Sequence, residues 1–149
     1  FEISQKAEDG SNNIWPQTFQ IGLIYKNEVK VLNVKINDKT LNLKEMVGLK
    51  KPLSIIYNYN GFGYGVFPLD GNTLKTIPTL KDATARASAY INVYENTLTG
   101  NVAPNKAFDC FMNGIQTEEN ELVLGILGNL NRDQIKKLNF GLIQIFDLN

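Results

Sequence analysis

The chain has 149 residues, 43% of them hydrophobic, enough to close one compact domain or two small subdomains that share a boundary. Lys plus Arg total 15 and Asp plus Glu total 15, so no net field draws the chain to nucleic acid, an anionic membrane or a strongly charged substrate. It contains no histidine, which removes the commonest general base, the commonest zinc ligand and every Ser-His or Cys-His catalytic pair. Cys110 is the single cysteine, so neither an internal disulfide nor a thiolate metal cluster can form.

The chain opens with FEISQKAEDG, in which Phe1, Ile3 and Gln5 alternate with polar residues. This reads as a polar-flanked strand and not as a targeting sequence, and a start at Phe1 is expected of a piece of a longer protein. No window approaches the roughly 18 consecutive apolar residues of a membrane-spanning helix. Phe19, Ile21, Leu23 and Tyr25 alternate strictly, the signature of a strand buried on one face. Val29 and Val31 continue that pattern, whereas Leu32, Val34 and Ile36 take the opposite parity, which predicts a bulge or a bend near Val31. Asn37 and Asp38, set between apolar runs, predict a hairpin turn into Leu41. After Pro52, Leu53, Ile55, Tyr57 and Tyr59 alternate, Asn60-Gly61 offers a turn, and Tyr64, Val66 and Phe67 predict a last strand that Pro68 stops.

After Asp70 the period changes. Between Thr79 and Leu98 the apolar positions Ala83, Ala87, Tyr90, Ile91, Tyr94 and Leu98 form one helical stripe, with Thr79 and Asp82 as a capping pair and Gly100 as the stop. Pro104 suits the start of a helix carrying Phe108, Phe111, Met112 and Ile115. Thr117, followed by Glu118 and Glu119, predicts another with Leu122, Val123, Ile126, Leu127 and Leu130. In residues 135–149, Ile135, Leu138, Leu142, Ile145 and Phe146 fit a helix, although GLIQIF alone also passes as a strand. The neighbouring helices favour the helical reading. Strands followed by helices specify an α+β fold. The expected architecture is an N-terminal antiparallel β-sandwich over residues 1–70 and a C-terminal antiparallel helical bundle or repeat over residues 71–149, incomplete at its end.

The chemical signals are better explained by structure. Gly61-Phe62-Gly63-Tyr64-Gly65 resembles a phosphate loop only in its glycines, because a phosphate loop must open a helix and this one leads into a predicted strand. Glu118, Glu119 and Glu121 point about a hundred degrees apart per residue on a helix and cannot converge on an ion; a solvated first turn accounts for Glu118 and Glu119. Arg86 is expected to pair with a carboxylate such as Asp70 or Asp82. Tyr57, Tyr59, Tyr64 and Phe67 are expected in core or interface packing in preference to an exposed platform for a sugar or base. Cys110, within AFDCFM, reads as a buried small hydrophobe. No N-glycosylation acceptor is present around Asn12 or Asn96.

Asn58, followed by Gly63-Tyr64-Gly65-Val66-Phe67-Pro68-Leu69-Asp70, resembles the last sandwich strand of the zinc aminopeptidases of the aminopeptidase N type, the gluzincin metallopeptidases. That strand carries an Asn and then Gly-Tyr-Tyr-Arg-Val-Asn-Tyr-Asp, and Gly63, Tyr64 and Asp70 match it. Arg86-Ala87 is similar to the pair that opens the family's first long C-terminal helix. Trp15-Pro16, Val47-Gly48-Leu49, Pro52 and Ile55-Ile56-Tyr57-Asn58 fit the preceding strands. The likeness spans about residues 1–130. Gly65, Val66 and Pro68 replace the family's Tyr, Arg and Asn, and Ile91-Asn92 replaces an acidic pair, as in a divergent branch.

Neither the His-Glu-x-x-His helix nor the Gly-x-Met-Glu-Asn loop of that family occurs in the chain. The resemblance therefore implies a non-catalytic C-terminal fragment, inactive alone, whose sandwich braces a catalytic domain and whose helices begin the cap over its peptide-binding cavity. It implies no catalytic, cofactor-binding or metal residue here, the zinc being held in the missing catalytic domain of the parent protein. The implied partner is that domain within the same protein, with peptide substrate reached only indirectly. Neither nucleic acid nor a membrane is an expected partner. The alternative is a stand-alone β-sandwich-plus-helix module that binds carbohydrate or protein through the tyrosines around Tyr59 and Tyr64.

Overall fold

The structure, a computed structural model, describes residues 1–146, with side chains described as far as Lys136. Strands come first: β1 (Glu2–Ser4), β2 (Gln17–Ile24), β3 (Val29–Ile36), β4 (Thr40–Asn42) and β5 (Ser54–Tyr57). Helices follow: α1 (Thr73–Thr76), α2 (Ala83–Leu98), α3 (Pro104–Thr117) and α4 (Glu121–Phe146), with 3₁₀ turns at Lys44–Met46 and Ile77–Thr79. The fold is thus mixed α and β, with its helices in the C-terminal part.

The strands form two small antiparallel sheets, one ordered β3-β2-β5 and the other pairing β1 with β4. Phe19, Ile21 and Leu23 of β2 and Leu32, Val34 and Ile36 of β3 make a buried cluster on one face of the larger sheet. Ile3 and Leu41 of the smaller sheet pack against that cluster. The opposite face turns Ile24 and Ile56 into a second cluster with Ile77, Leu80, Tyr90, Val93, Phe111 and Leu127 from the helical part. The larger sheet is therefore buried on both faces at β2 and β5. Each fully buried Leu, Ile or Phe contributes about 1.5–3 kcal/mol through the apolar surface it removes from water. Gly22 has a packing reason: a Cβ there would fall inside the ring of Tyr59, so a bare Cα lets that ring close on the sheet.

The bulge or bend expected near Val31 is absent. Pairing runs unbroken from Gln17 opposite Ile36 to Ile24 opposite Val29. The parity change arises because Val29 and Val31 lie on the outer face, each 41% exposed, while Leu32, Val34 and Ile36 face inward. The hairpin expected at Asn37-Asp38 is also corrected, since β4 pairs with β1, Leu41 opposite Ile3, instead of folding back on β3. Gln5 is the cause: its backbone amide donates to the Lys39 carbonyl and its side-chain amide to that of Asp38.

The last strand expected at Tyr64–Phe67 does not form, and residues 61–70 are irregular. The edge of β5 that such a strand would use is occupied. Asp70 Oδ2 accepts the Ile55 amide at 2.6 Å, and Asn72 Nδ2 donates to the Leu53 carbonyl.

In the helical part α2 begins at Ala83 and not at Thr79, which closes a 3₁₀ turn; Asp82 is the N-cap, its Oδ1 accepting from the Ala85 amide. The predicted stop is correct, with Gly100 at φ +78° just past the helix. The buried face differs from the predicted stripe. Ala85, Ser88, Ala89, Asn92, Val93 and Asn96 are buried beside Tyr90, whereas Ile91 and Leu98 are exposed. Small and amide side chains occupy this face because α2 lies against other backbone segments and hydrogen-bonds to them. α3 starts at Pro104 as expected and ends at Thr117. Helix α4 starts at Glu121 instead of following Thr117 directly, and the Asn120 Oδ1 accepts from the Leu122 and Val123 amides as its cap. It continues to Phe146, so the ambiguous segment is helical and joined to the helix before it. Residues 147–149 of that segment lie outside the described residues.

Candidate functional site

The chain between β5 and α1 is held by side-chain amides and carboxylates that substitute for backbone partners. Asn58 takes a left-handed φ of +54°, and its side chain pairs with Gly63 in both directions, Nδ2 to the carbonyl and the Gly63 amide to Oδ1. Asn60 Oδ1 accepts from the Gln20 and Phe62 amides, and Gln17 Oε1 accepts from the Tyr64 amide. Further on, Asn92 grips Phe67 in the same two-way manner, and Asn96 Nδ2 adds a second donor to the Phe67 carbonyl. The chain then reaches Asp70, whose carboxylate accepts from Ser54 Oγ, the Ile55 amide, the Asn72 amide and Thr73 Oγ1.

This scaffold presents Phe62 and Tyr64 to solvent, 81% and 87% exposed. Ile14 and Trp15, also exposed, immediately precede the strand whose Gln17 holds Tyr64. Residues 57–69 carry no charged side chain. An uncharged, firmly held aromatic loop can stack on a flat apolar surface or dock into another protein surface.

The other weighed residues have structural positions. Tyr57, Tyr59 and Phe67 are half-buried as expected of packing residues, Phe67 meeting Phe19 edge-on at 5.0 Å between ring centroids. Tyr64 departs from that expectation. The glycines at 61, 63 and 65 lead into irregular chain instead of either a strand or a helix. Sequence reasoning passed over Phe62 and Trp15; the signal for Phe62 was its place between two glycines, which have no side chains to bury it.

Arg86 pairs with Glu118 and not with Asp70 or Asp82. Its Nε and Nη2 donate to the two carboxylate oxygens at 2.7 and 2.6 Å, and Nη1 donates to the Leu80 and Lys81 carbonyls. Glu118 is not solvated, since its side chain is only 2% exposed. The Arg86 hydrogen bonds hold the Glu118 carboxyl below the usual range, and the same bonds raise the Arg86 guanidinium. A cavity of about 160 Å³ beside the pair is lined by Pro78, Arg86, Tyr90, Thr117, Glu118 and Glu119. Burial raises the Tyr90 hydroxyl there well above the ordinary tyrosine value. Protein oxygens take four of the five guanidinium N–H groups and the Glu118 carboxylate neutralises the charge, so the cavity has no unpaired cation to anchor an anion.

Cys110 is buried, and burial pushes its thiol up to about 12, which fits the expected inert packing role. Among the described residues no three His, Cys, Asp or Glu side chains converge where they could hold a metal ion. The described residues therefore offer no set of donors that fits zinc. No described helix is long and apolar enough to cross a membrane. No protein-family model matches the chain, and no curated protein matches it.

Proposed function

We propose that the chain is the non-catalytic C-terminal region of a divergent zinc aminopeptidase of the aminopeptidase N type. In this reading the β part, a sandwich in the parent protein, braces the catalytic domain, and the helices begin the cap over the peptide-binding cavity. The observation that carries it is the exposed aromatic loop of Phe62 and Tyr64 on a side-chain scaffold. Such an apolar surface is of the kind that a neighbouring domain in the same protein covers. The order of strands before helices, with Asp70 tying β5 to α1, supports the same reading. Zinc and the reacting groups belong to the catalytic domain of the parent, and the role of this chain is to hold and enclose.

A second reading is favoured by the same loop, because aromatic side chains without charge also suit a stand-alone module for neutral carbohydrate or protein. The gene separates the two. Coding sequence upstream of Phe1 is expected to contain His-Glu-x-x-His, and a start codon immediately before Phe1 would overturn the aminopeptidase reading. The isolated chain is expected to leave aminoacyl-arylamides intact with or without added zinc; zinc-dependent turnover that stays proportional to the chain through successive purifications would sink the non-catalytic assignment.

A further inference from the structure

β3 is an edge strand eight residues long, with β2 as its hydrogen-bonded neighbour. The direction of its backbone groups follows from the hairpin. The Tyr25 amide donates to the Glu28 carbonyl, so alternate residues Lys30, Leu32, Val34 and Ile36 turn their backbone groups toward β2. Independently, the Gln20 amide and carbonyl are engaged on the β5 side, by Asn60 Oδ1 and the Tyr59 amide, which puts the β3-facing groups of β2 at Phe19, Ile21 and Leu23. The amides and carbonyls of Val29, Val31, Asn33 and Lys35 therefore face outward, and no hydrogen bond within the described chain engages them. An edge of this kind is a template for one more strand.

The side chains select the occupant. Val29 and Val31 stand exposed on one face of this edge. Lys30 and Lys35 are exposed on opposite faces, and the strand has no carboxylate. Pairing β3 with β3 of a second copy would bring four ammonium groups to one seam, which like-charge repulsion disfavours. A strand whose apolar residues lie beside Val29 and Val31 carries its alternate carboxylates on the opposite face, beside Lys30, and so complements the valines and that lysine. We infer that the outer edge of β3 binds an extended acidic-apolar peptide segment as an added strand. This inference stands independently of the aminopeptidase reading, since it uses neither the aromatic loop nor a catalytic domain.

The test uses the full chain and an acetylated, amidated hexapeptide alternating Glu and Val, with a Lys-Val hexapeptide as control. Saturating acidic peptide is expected to slow hydrogen exchange at Val29, Val31, Asn33 and Lys35 by at least about tenfold, leaving Lys30 and Leu32 unchanged, because only outward amides gain a partner. Val31→Pro removes an outward N–H at an edge position that accepts proline. It is expected to keep the circular dichroism spectrum and to abolish the protection. Should that variant not fold, the double variant Lys30→Glu, Lys35→Glu serves, and it is expected to reverse the preference toward the Lys-Val peptide. Equal binding of both hexapeptides by the native chain, protection elsewhere than at the four outward amides, or a concentration-dependent dimer protected at β3 would each overturn the inference.

Discussion

The Asp70 carboxylate receives the Ile55 backbone amide at 2.6 Å along the outer edge of β5. The same carboxylate holds Ser54, Asn72 and Thr73, so one side chain ends the sheet and starts the helical part. Asp70→Ala would leave partly buried donors without an acceptor, and the expected loss is about 2–4 kcal/mol, from a typical penalty of 1–3 for one orphaned group and more for a charge-assisted one. Urea unfolding measures it. A loss below the error of the midpoint would show that water replaces the carboxylate.

Arg86 and Glu118 join α2 to the turn between α3 and α4. Arg86→Ala strands a buried carboxylate, for which the expected cost is about 3–5 kcal/mol, whereas Glu118→Gln keeps a neutral acceptor in place and costs less. The pH dependence has a definite sign. Because the folded Glu118 carboxyl lies below its ordinary value of 4.5, its contribution is present above that pH and disappears as pH falls through the lower folded value. The native chain should lose more stability than Glu118→Gln between pH 5 and pH 3, each value being about half a decade or more from 4.5 on either side. Parallel melting curves across that range would remove the ion pair as the cause.

Asn92 acts on Phe67 as a neighbouring strand would, donating to its carbonyl and accepting from its amide. Asn92→Leu preserves volume and removes both bonds, with an expected cost of about 1–3 kcal/mol. Amide exchange at Phe67 should accelerate in that variant before global unfolding begins. Unaltered exchange at Phe67 would mean that the Asn96 hydrogen bond and ring packing against Phe19 suffice to hold the segment.

A Cβ at Gly114 would lie 2.5 Å from Tyr90 Oη and 3.1 Å from Leu127 Cδ1. Gly114→Ala gains helix propensity, but the overpacked α2, α3 and α4 junction should outweigh it, with a net loss of about 1–3 kcal/mol. A stabilised Gly114→Ala would show that Tyr90 can move aside at no cost.

The Cys110 thiol, raised by burial to about 12, should react with a disulfide reagent at pH 8 at least about a hundredfold more slowly in the native chain than in urea. Fast native labelling would mean that α1, whose Leu74 carbonyl accepts from the thiol, opens readily.

Local periodicity made several elements legible. β2 announced itself through Phe19, Ile21 and Leu23, Pro104 started α3, and Gly100 followed α2, because each of these signals acts within a few residues. The bulge at Val31 and the strand at Tyr64–Phe67 were misread for one reason. Apolar alternation shows that a side chain fits a pleated surface but says nothing of which backbone lies beside it. Where Asp70, Asn72 and Asn92 claimed the backbone bonds, no strand formed. The aromatic loop was half legible: its lack of charge was in the sequence, whereas the exposure of Tyr64 depended on Gln17, 47 residues earlier.

By itself, the amino-acid sequence determined that strands precede helices, that charge is balanced, and that histidine-based and multi-thiolate chemistry is absent. These follow from composition and from patterns a few residues long. Only the tertiary structure decided that Arg86 meets Glu118, that β4 joins β1, and that Asp70 closes the edge of β5. Each of those pairings unites residues 15 or more positions apart, and its choice depends on which groups burial deprives of water, a condition that exists only once the chain has closed on itself.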